Sequence, residues 1–226
     1  MSVIAERYRA IRQQVADAAD CAGRHPDDVR IIAVTKTVGI QEVRNAIQAG
    51  MGDFGENRVQ EFLGKYGLFP DVNWHFIGSL QTNKVADVVG KAYLIHSVDS
   101  IRLLQAIDRH AIAKGVVQPV LLQVNVSGEE SKHGFVPEDT EDALLRSVEM
   151  PGVAVKGLMT MAPLSARVED ARPVFHELAS LAERLRALRL DTVELTELSM
   201  GMTNDFKVAV EEGSTMVRIG RAIFGK

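Results

Sequence analysis

The 226-residue chain predicts an α/β fold: one (β/α)8, TIM-like barrel led by an N-terminal helix. Three observations carry this. Short apolar runs alternate with segments of helical period until eight strands are counted, the number that closes a parallel sheet on itself. No Pro/Ser-rich linker, low-complexity tract or composition shift interrupts the alternation, so residues 1–226 read as one domain. Polar and glycine residues gather where the apolar runs end, which in a barrel of parallel strands is the end that carries chemistry.

Residues 3–22 space Ile4, Tyr8, Ile11, Val15 and Ala18 by three and four, an amphipathic helix ahead of the alternation. The first strand is predicted over 29–34, and the helix after it starts near Ile40, places Val43, Ala46 and Ile47 on one face and stops at Gly50. The alternation continues with strands at 53–55, 74–77 and 93–96, each followed by a helix, starting at Arg58, at Lys84 and at Ser100 respectively. Strands at 120–126 and 153–158 precede helices over 138–148 and 168–188. Strands at 193–198 and 216–219, with a short helix over 206–211 between them, complete the set.

Composition narrows the function classes. The chain is 46% hydrophobic and 25% charged with a net charge of −4, and its Lys and Arg are scattered, so no basic stripe offers itself to a phosphate backbone and nucleic acid is not expected as a partner. No run reaches the ~18 apolar residues of a membrane span, and residues 1–7 lack the charged-then-apolar layout of a signal peptide, so the expectation is a cytoplasmic protein with no membrane partner. The single Cys21 allows no internal disulfide and reads as a half-buried residue near a helix end. His96, His110, His133 and His176 show no metal-ligand spacing.

Lys36 directly follows Ile31, Ile32, Ala33 and Val34, which places an ammonium group at the end of a strand that reads as barrel interior. Partial desolvation there would lower its pKa and free the amine to attack an aldehyde as a Schiff-base lysine; the alternative is a lysine whose stem packs on the rim while its amine reaches water. Gly201 and Gly220 end strands seven and eight, where barrels bind phosphate with bare backbone N–H groups; Ser199 and Thr203 add hydroxyls and Arg221 adds charge. Each glycine also has a plain reading as a turn device. Together the lysine and the cradle specify a ligand with an aldehyde and a phosphate. Arg218, two residues before Gly220, should point into the mouth, where a permanently charged guanidinium can donate to a heterocyclic nitrogen without protonating it strongly; an interior ion pair is the other reading. His75 is either a neighbour of the ligand ring or a satisfied core histidine, Asn57 is a polar contact or a helix cap, and Lys132 reads as solvated.

These stretches resemble the pyridoxal phosphate homeostasis proteins. The matching segments are residues 33–37 (AVTKT), 54–60 (FGENRVQ), 74–84 (WHFIGSLQTNK), 198–205 (LSMGMTND) and 217–225 (VRIGRAIFG), in order along nearly the whole chain. The resemblance implies a barrel like the N-terminal domain of fold-type III enzymes such as alanine racemase, with pyridoxal 5′-phosphate held as an aldimine on Lys36. It also implies Arg218 facing the pyridine nitrogen and Ser199, Gly201, Gly220 and the Arg221 backbone on the phosphate, with Asn57 and His75 matching motif positions.

Three functions compete. The first is a carrier or regulator in intracellular vitamin B6 homeostasis, without robust catalysis, acting as a monomer or weak dimer with apo forms of pyridoxal phosphate-dependent enzymes as recipients. The second is a fold-type III racemase, which needs acid/base groups on opposite faces of the substrate Cα. The chain stops at Lys226 after strand eight and its three tyrosines, Tyr8, Tyr66 and Tyr93, are predicted away from the mouth, so the expectation is no second proton donor. The third, a Schiff-base aldolase, leaves Arg218 without a role.

Overall fold

The computed structural model describes residues 2–129, 133–163, 165, 167–190 and 193–225; Lys132 and Lys226 lie outside them. Eight parallel strands close in sequence order into a barrel: β1 Arg30–Val34, β2 Asp53–Glu56, β3 Asn73–Phe76, β4 Leu94–Val98, β5 Gln118–Gln123, β6 Val153–Met159, β7 Glu197–Met202 and β8 Met216–Ile219. β8 pairs back onto β1, with Ile32 opposite Arg218. The eight-stranded barrel is as the apolar alternation predicts.

Helix α1, Val3–Cys21, precedes the barrel and starts on Ser2, whose side chain accepts from the Ala5 N–H. Its buried Ile11, Val15, Ala18 and Ala19 lie in the main hydrophobic core. The crossover helices are α2 Ile40–Gln48, α3 Val59–Tyr66, α4 Val85–Val88, α5 Ile101–Lys114, α6 Thr140–Ser147, α7 Arg172–Arg186 and α8 Phe206–Glu211. Among the described residues, no helix is long and apolar enough to cross a membrane.

Strand parity divides the core in two. Outward residues such as Phe54, Trp74, Phe76 and Val217 join Phe62, Phe175 and Leu178 in the layer between sheet and helices. Inward residues Ile32, Leu94, Leu121, Met159 and Met216 fill the barrel axis. Each such side chain contributes about 1.5–3 kcal/mol on burial. The axial cluster holds five residues, and His75, His96, Ser199 and Arg218 add buried polar groups.

Two expectations need correction, and one element was not anticipated. Strand seven begins at Glu197 rather than 193: the Val193 N–H bonds back to Leu190 O in a turn, and Leu195 is buried within the loop. A one-turn helix, α9 Arg221–Phe224, follows β8. Cys21 is exposed, not half-buried.

Candidate functional site

β1 ends at Val34, so Lys36 sits in the turn beyond the strand, at the C-terminal mouth of the barrel. It is exposed, and its Nζ makes no hydrogen bond or ion pair among the described residues. The expectation of a desolvated amine is therefore not met: the strand interior stops two residues short of it. The backbone around it is held firmly. Thr35 donates its N–H to Gly55 O at 3.0 Å and its hydroxyl to Glu56 Oε1 at 2.6 Å, while Thr35 O accepts from Lys65 Nζ at 2.7 Å. Lys65 in turn pairs with Glu56 behind the turn, both buried. Thr37 adopts φ 63°, a left-handed conformation that costs a residue with a Cβ of order 1 kcal/mol and persists where neighbours over-determine it.

Arg218 points inward from β8 and is 5% exposed. Its Nη1 donates to Ser199 O at 2.8 Å and to Ser199 Oγ at 2.5 Å, and its Nη2 donates to Thr160 O, at the mouth end of β6, at 2.8 Å. It forms no ion pair with a carboxylate among the described residues, which removes the interior ion-pair reading. A guanidinium has five N–H donors; one on Nη2 and the Nε–H are left without a protein acceptor among the described residues. Burial pulls its pKa down to about 10, with the Asp205 carboxylate opposing, so it stays charged at neutral pH.

Ser199 is fully buried on the inner face of β7, and its Oγ also lies 2.9 Å from His96 Nδ1. His96 Nε2 is 2.9 Å from His75 Nδ1, and His75 Nε2 is 3.0 Å from Asp53 Oδ1. Asp53 accepts from Asn73 Nδ2 at 3.1 Å and lies 3.8 Å from Arg30 Nε. Burial lowers the pKa of both histidines; for His75 the Asp53 carboxylate opposes this, and for His96 the positive charges of Arg218 and Arg30 add to it. For Asp53 burial acts upward, but hydrogen bonds from His75 and Asn73 and the charge of Arg30 oppose it, and the net shift is downward. Two expectations change as a result. Ser199 is engaged in the interior, with its hydroxyl between Arg218 and His96, rather than held out as a free donor at the mouth. His75 has both ring nitrogens taken by side chains on its own level and toward the strand starts.

The two glycines differ. Gly201 has φ 93° and lies in an irregularity where Ser199 faces Met216 and Met202 faces Arg218, so β7 carries one residue more than β8. A Cβ there would meet Ala209 Cβ at 2.5 Å and Phe206 Cα at 3.0 Å, so this glycine admits close packing of α8. Gly220, in contrast, lies beside the end of β1: its Cβ position is 3.4 Å from Val34 O, an ordinary contact. It precedes α9, whose first N–H groups have no intrahelical acceptor. Arg221 is exposed at the start of that turn, and Thr203 is half-buried in the loop after β7.

Asn57 follows β2, and its Oδ1 is the buried side-chain N/O atom that lacks a hydrogen-bond partner among the described residues. Its backbone is pressed against Gly78, where a Cβ would come 2.1 Å from Asn57 O. It lines a cleft of about 570 Å³ with Ser79, Gln81 and Lys84. No group of acidic, His and Cys side chains suited to a metal occurs among the described residues.

Sequence reasoning missed Asp53, His96, Thr160, Glu56 and Lys65. One signal was present: with His75 inward, the alternation in β4 puts Leu94 and His96 on the same inner face. Lys65 carried none, because a lysine on an amphipathic helix reads as solvated.

The closed barrel, the lysine turn at its mouth and the buried arginine beneath define the class of alanine racemase-type barrel domains: the family model described as "Alanine racemase, N-terminal domain" matches residues 7–226. The chain is 44% identical to the Pyridoxal phosphate homeostasis protein of Aquifex aeolicus, covering 98% of this chain and 97% of that one. It is 42% identical to the protein of that name from Pseudomonas aeruginosa, covering 100% and 96%. It belongs to the pyridoxal phosphate homeostasis protein family. Among solved structures, PipY of Synechococcus elongatus PCC7942 with PLP bound superposes with a TM-score of 0.86 at 36% identity, over 98% of this chain and 100% of that one. Alanine racemase of Clostridium difficile 630 shares the fold, with a TM-score of 0.76 at 14% identity over 97% of this chain and 56% of that one.

Proposed function

We propose that this protein binds pyridoxal 5′-phosphate through Lys36 and serves as a carrier or regulator of that cofactor, without robust catalysis. The observation that carries the reading is the pairing, at one end of the barrel, of a free Lys36 amine with a buried Arg218 that has unused donors, in a chain 36% identical along its length to PipY, whose structure holds PLP.

The residues fit the group. The unpartnered Asn57 Oδ1 and the two unused Arg218 donors are polar capacity that the protein leaves open, which is costly unless a ligand satisfies it. When bound, pyridoxal phosphate supplies an aldehyde carbon for an amine, a ring nitrogen acceptor and a phosphate. Lys36 would hold the aldehyde carbon and Arg218 would donate to the ring nitrogen, with Asn57 as a further polar contact. Gly220 and the Arg221 N–H at the start of α9 would take the phosphate, with Gly201 and Thr203 in the facing loop. Ser199 and His75 act behind Arg218 rather than on the ligand. Residues 1–226 would act as one cytoplasmic domain, a monomer or weak dimer, with apo forms of pyridoxal phosphate-dependent enzymes as recipients.

Arg218 supports the carrier reading over an enzyme. A guanidinium that stays charged at neutral pH donates a hydrogen bond to the ring nitrogen but does not hand over its proton, which keeps the ring a weak electron sink. Racemisation also needs a second acid/base group, and Tyr8, Tyr66 and Tyr93 lie in α1, at the end of α3 and just before β4. The test is to mix the loaded protein with L- or D-alanine and follow the enantiomer ratio, and separately to measure activation of a recipient apoenzyme. Activation without racemisation is expected; racemisation on the order of 1–10³ per second would overturn the carrier reading.

A further inference from the structure

We propose that Asp53, His75, His96 and Ser199 form a one-directional hydrogen-bond relay through the barrel interior that positions the Arg218 guanidinium for a ligand at the mouth. The inference rests on the reading of Arg218 as the ring-nitrogen donor. The links are the 3.0, 2.9 and 2.9 Å contacts from Asp53 through His75 and His96 to Ser199, closed by the Arg218 Nη1 donor on Ser199 Oγ. All five residues project into the barrel from different strands: Asp53 from β2, His75 from β3, His96 from β4, Ser199 from β7 and Arg218 from β8.

Donor and acceptor chemistry dictates the direction. Arg218 can only donate, so Ser199 Oγ accepts from it and the hydroxyl proton is free to go to His96 Nδ1. His96 then carries its proton on Nε2 and donates to His75 Nδ1, which leaves His75 protonated on Nε2 and donating to the Asp53 carboxylate. Every member is satisfied and both imidazoles are neutral, in agreement with the direction in which burial moves their pKa values. The reversed order would set a lone pair of neutral His75 against the ionised Asp53 carboxylate, or require a charged imidazole in a fully buried site. Asp53 anchors the relay at the strand starts, where its carboxylate is 19% exposed and lines a cleft of about 520 Å³ with Tyr8, Arg9, Arg12 and Arg30. The relay thus specifies one rotamer of Ser199 and, through it, holds a guanidinium that forms no ion pair with a carboxylate among the described residues. His75 and His96 are positioning residues: neither reaches the mouth.

Two measurements test this. Nitrogen-15 NMR of the ligand-free wild-type protein at neutral pH should show His75 and His96 each with one protonated nitrogen, Nε2, and an accepting Nδ1; an Nδ1–H form of either ring, or a doubly protonated His75, would overturn the relay. The second is a cycle of His96→Phe and Arg218→Met, read as the dissociation constant for pyridoxal phosphate. His96→Phe alone should weaken binding about tenfold, and should have less than a twofold effect when Arg218→Met is already present, because its action passes through Arg218. Equal effects in both backgrounds would make His96 a merely structural residue and overturn the proposal. Ser199→Ala breaks the same chain with a smaller change and replaces His96→Phe in the cycle should that variant not fold. If wild type bound no pyridoxal phosphate at all, the functional reading would fall, while the relay would stand or fall on the ligand-free tautomers.

Discussion

Glu56 and Lys65 form a buried ion pair directly behind the turn that carries Lys36, and both also bond Thr35: Glu56 Oε1 accepts from its hydroxyl at 2.6 Å and Lys65 Nζ donates to its carbonyl at 2.7 Å. A pair in this position specifies the backbone of the turn, because each partner has one bond to the other and one to the chain next to Lys36.

Removing Lys65 leaves the Glu56 carboxylate buried without its counter-charge, whereas removing Glu56 leaves Lys65 with Glu61 Oε2 at 3.8 Å. Lys65→Met should therefore cost about 3–5 kcal/mol, and Glu56→Leu less, because Glu61 still faces Lys65. The double variant should cost clearly less than the sum, because no charge is then stranded. Urea denaturation of the four proteins measures this; additivity would show that the two residues act independently.

The glycines at the ends of β7 and β8 should separate fold from ligand binding. Gly201→Ala introduces a Cβ at φ 93° and 2.5 Å from Ala209 Cβ, and should destabilise the protein by about 2–4 kcal/mol. Gly220→Ala meets only ordinary contacts and should change stability by less than about 1 kcal/mol. Gly220→Val should weaken pyridoxal phosphate retention while the thermal midpoint of the ligand-free protein moves little. Unchanged retention in Gly220→Val would put the phosphate elsewhere.

Stability should fall as the solution is made acidic, in two windows. His75 and His96 are buried with their pKa values below the ordinary 6.5. Below that value the unfolded chain binds protons that the folded one refuses, so stability is full above about pH 6.5 and declines beneath it, with a slope approaching about 1.4 kcal/mol per pH unit for each extra proton. Asp53, whose pKa is lowered in the folded protein, adds a further loss as the pH falls below the ordinary Asp value of about 3.9. Urea midpoints from pH 8 to 5 check the first window, and His96→Gln should flatten it. A wild-type profile that is level across this range would contradict buried neutral histidines.

The barrel was legible because its signal is local and repeated. An apolar run followed by Lys36, or by Arg218 and Gly220, can be placed at a strand end from the sequence alone. Strand β7 was misplaced because Val193 and Leu195 alternate like a strand, whereas the true strand contains Gly201, a type that argues against one. The interior polar chain was beyond reach for a different reason. His96 and Ser199 are 103 residues apart, and their contact depends on the closure of the barrel, to which each strand contributes one inward residue per two. Ser199 therefore read as a mouth hydroxyl, and His75 as a ring neighbour, because a sequence shows which way a strand residue faces only relative to its own strand.

The measurement that bears most directly on the account is borohydride reduction of the protein mixed with pyridoxal phosphate, followed by peptide mapping. Lys36 is the exposed amine at the mouth, with a backbone held by Glu56 and Lys65 and a buried Arg218 beneath. Reduction should leave a phosphopyridoxyl group on the peptide that contains Lys36, with loss of the visible absorbance, and Lys36→Ala should abolish both. A reduced adduct found only on another lysine, such as Lys84 or Lys132, would contradict the central claim.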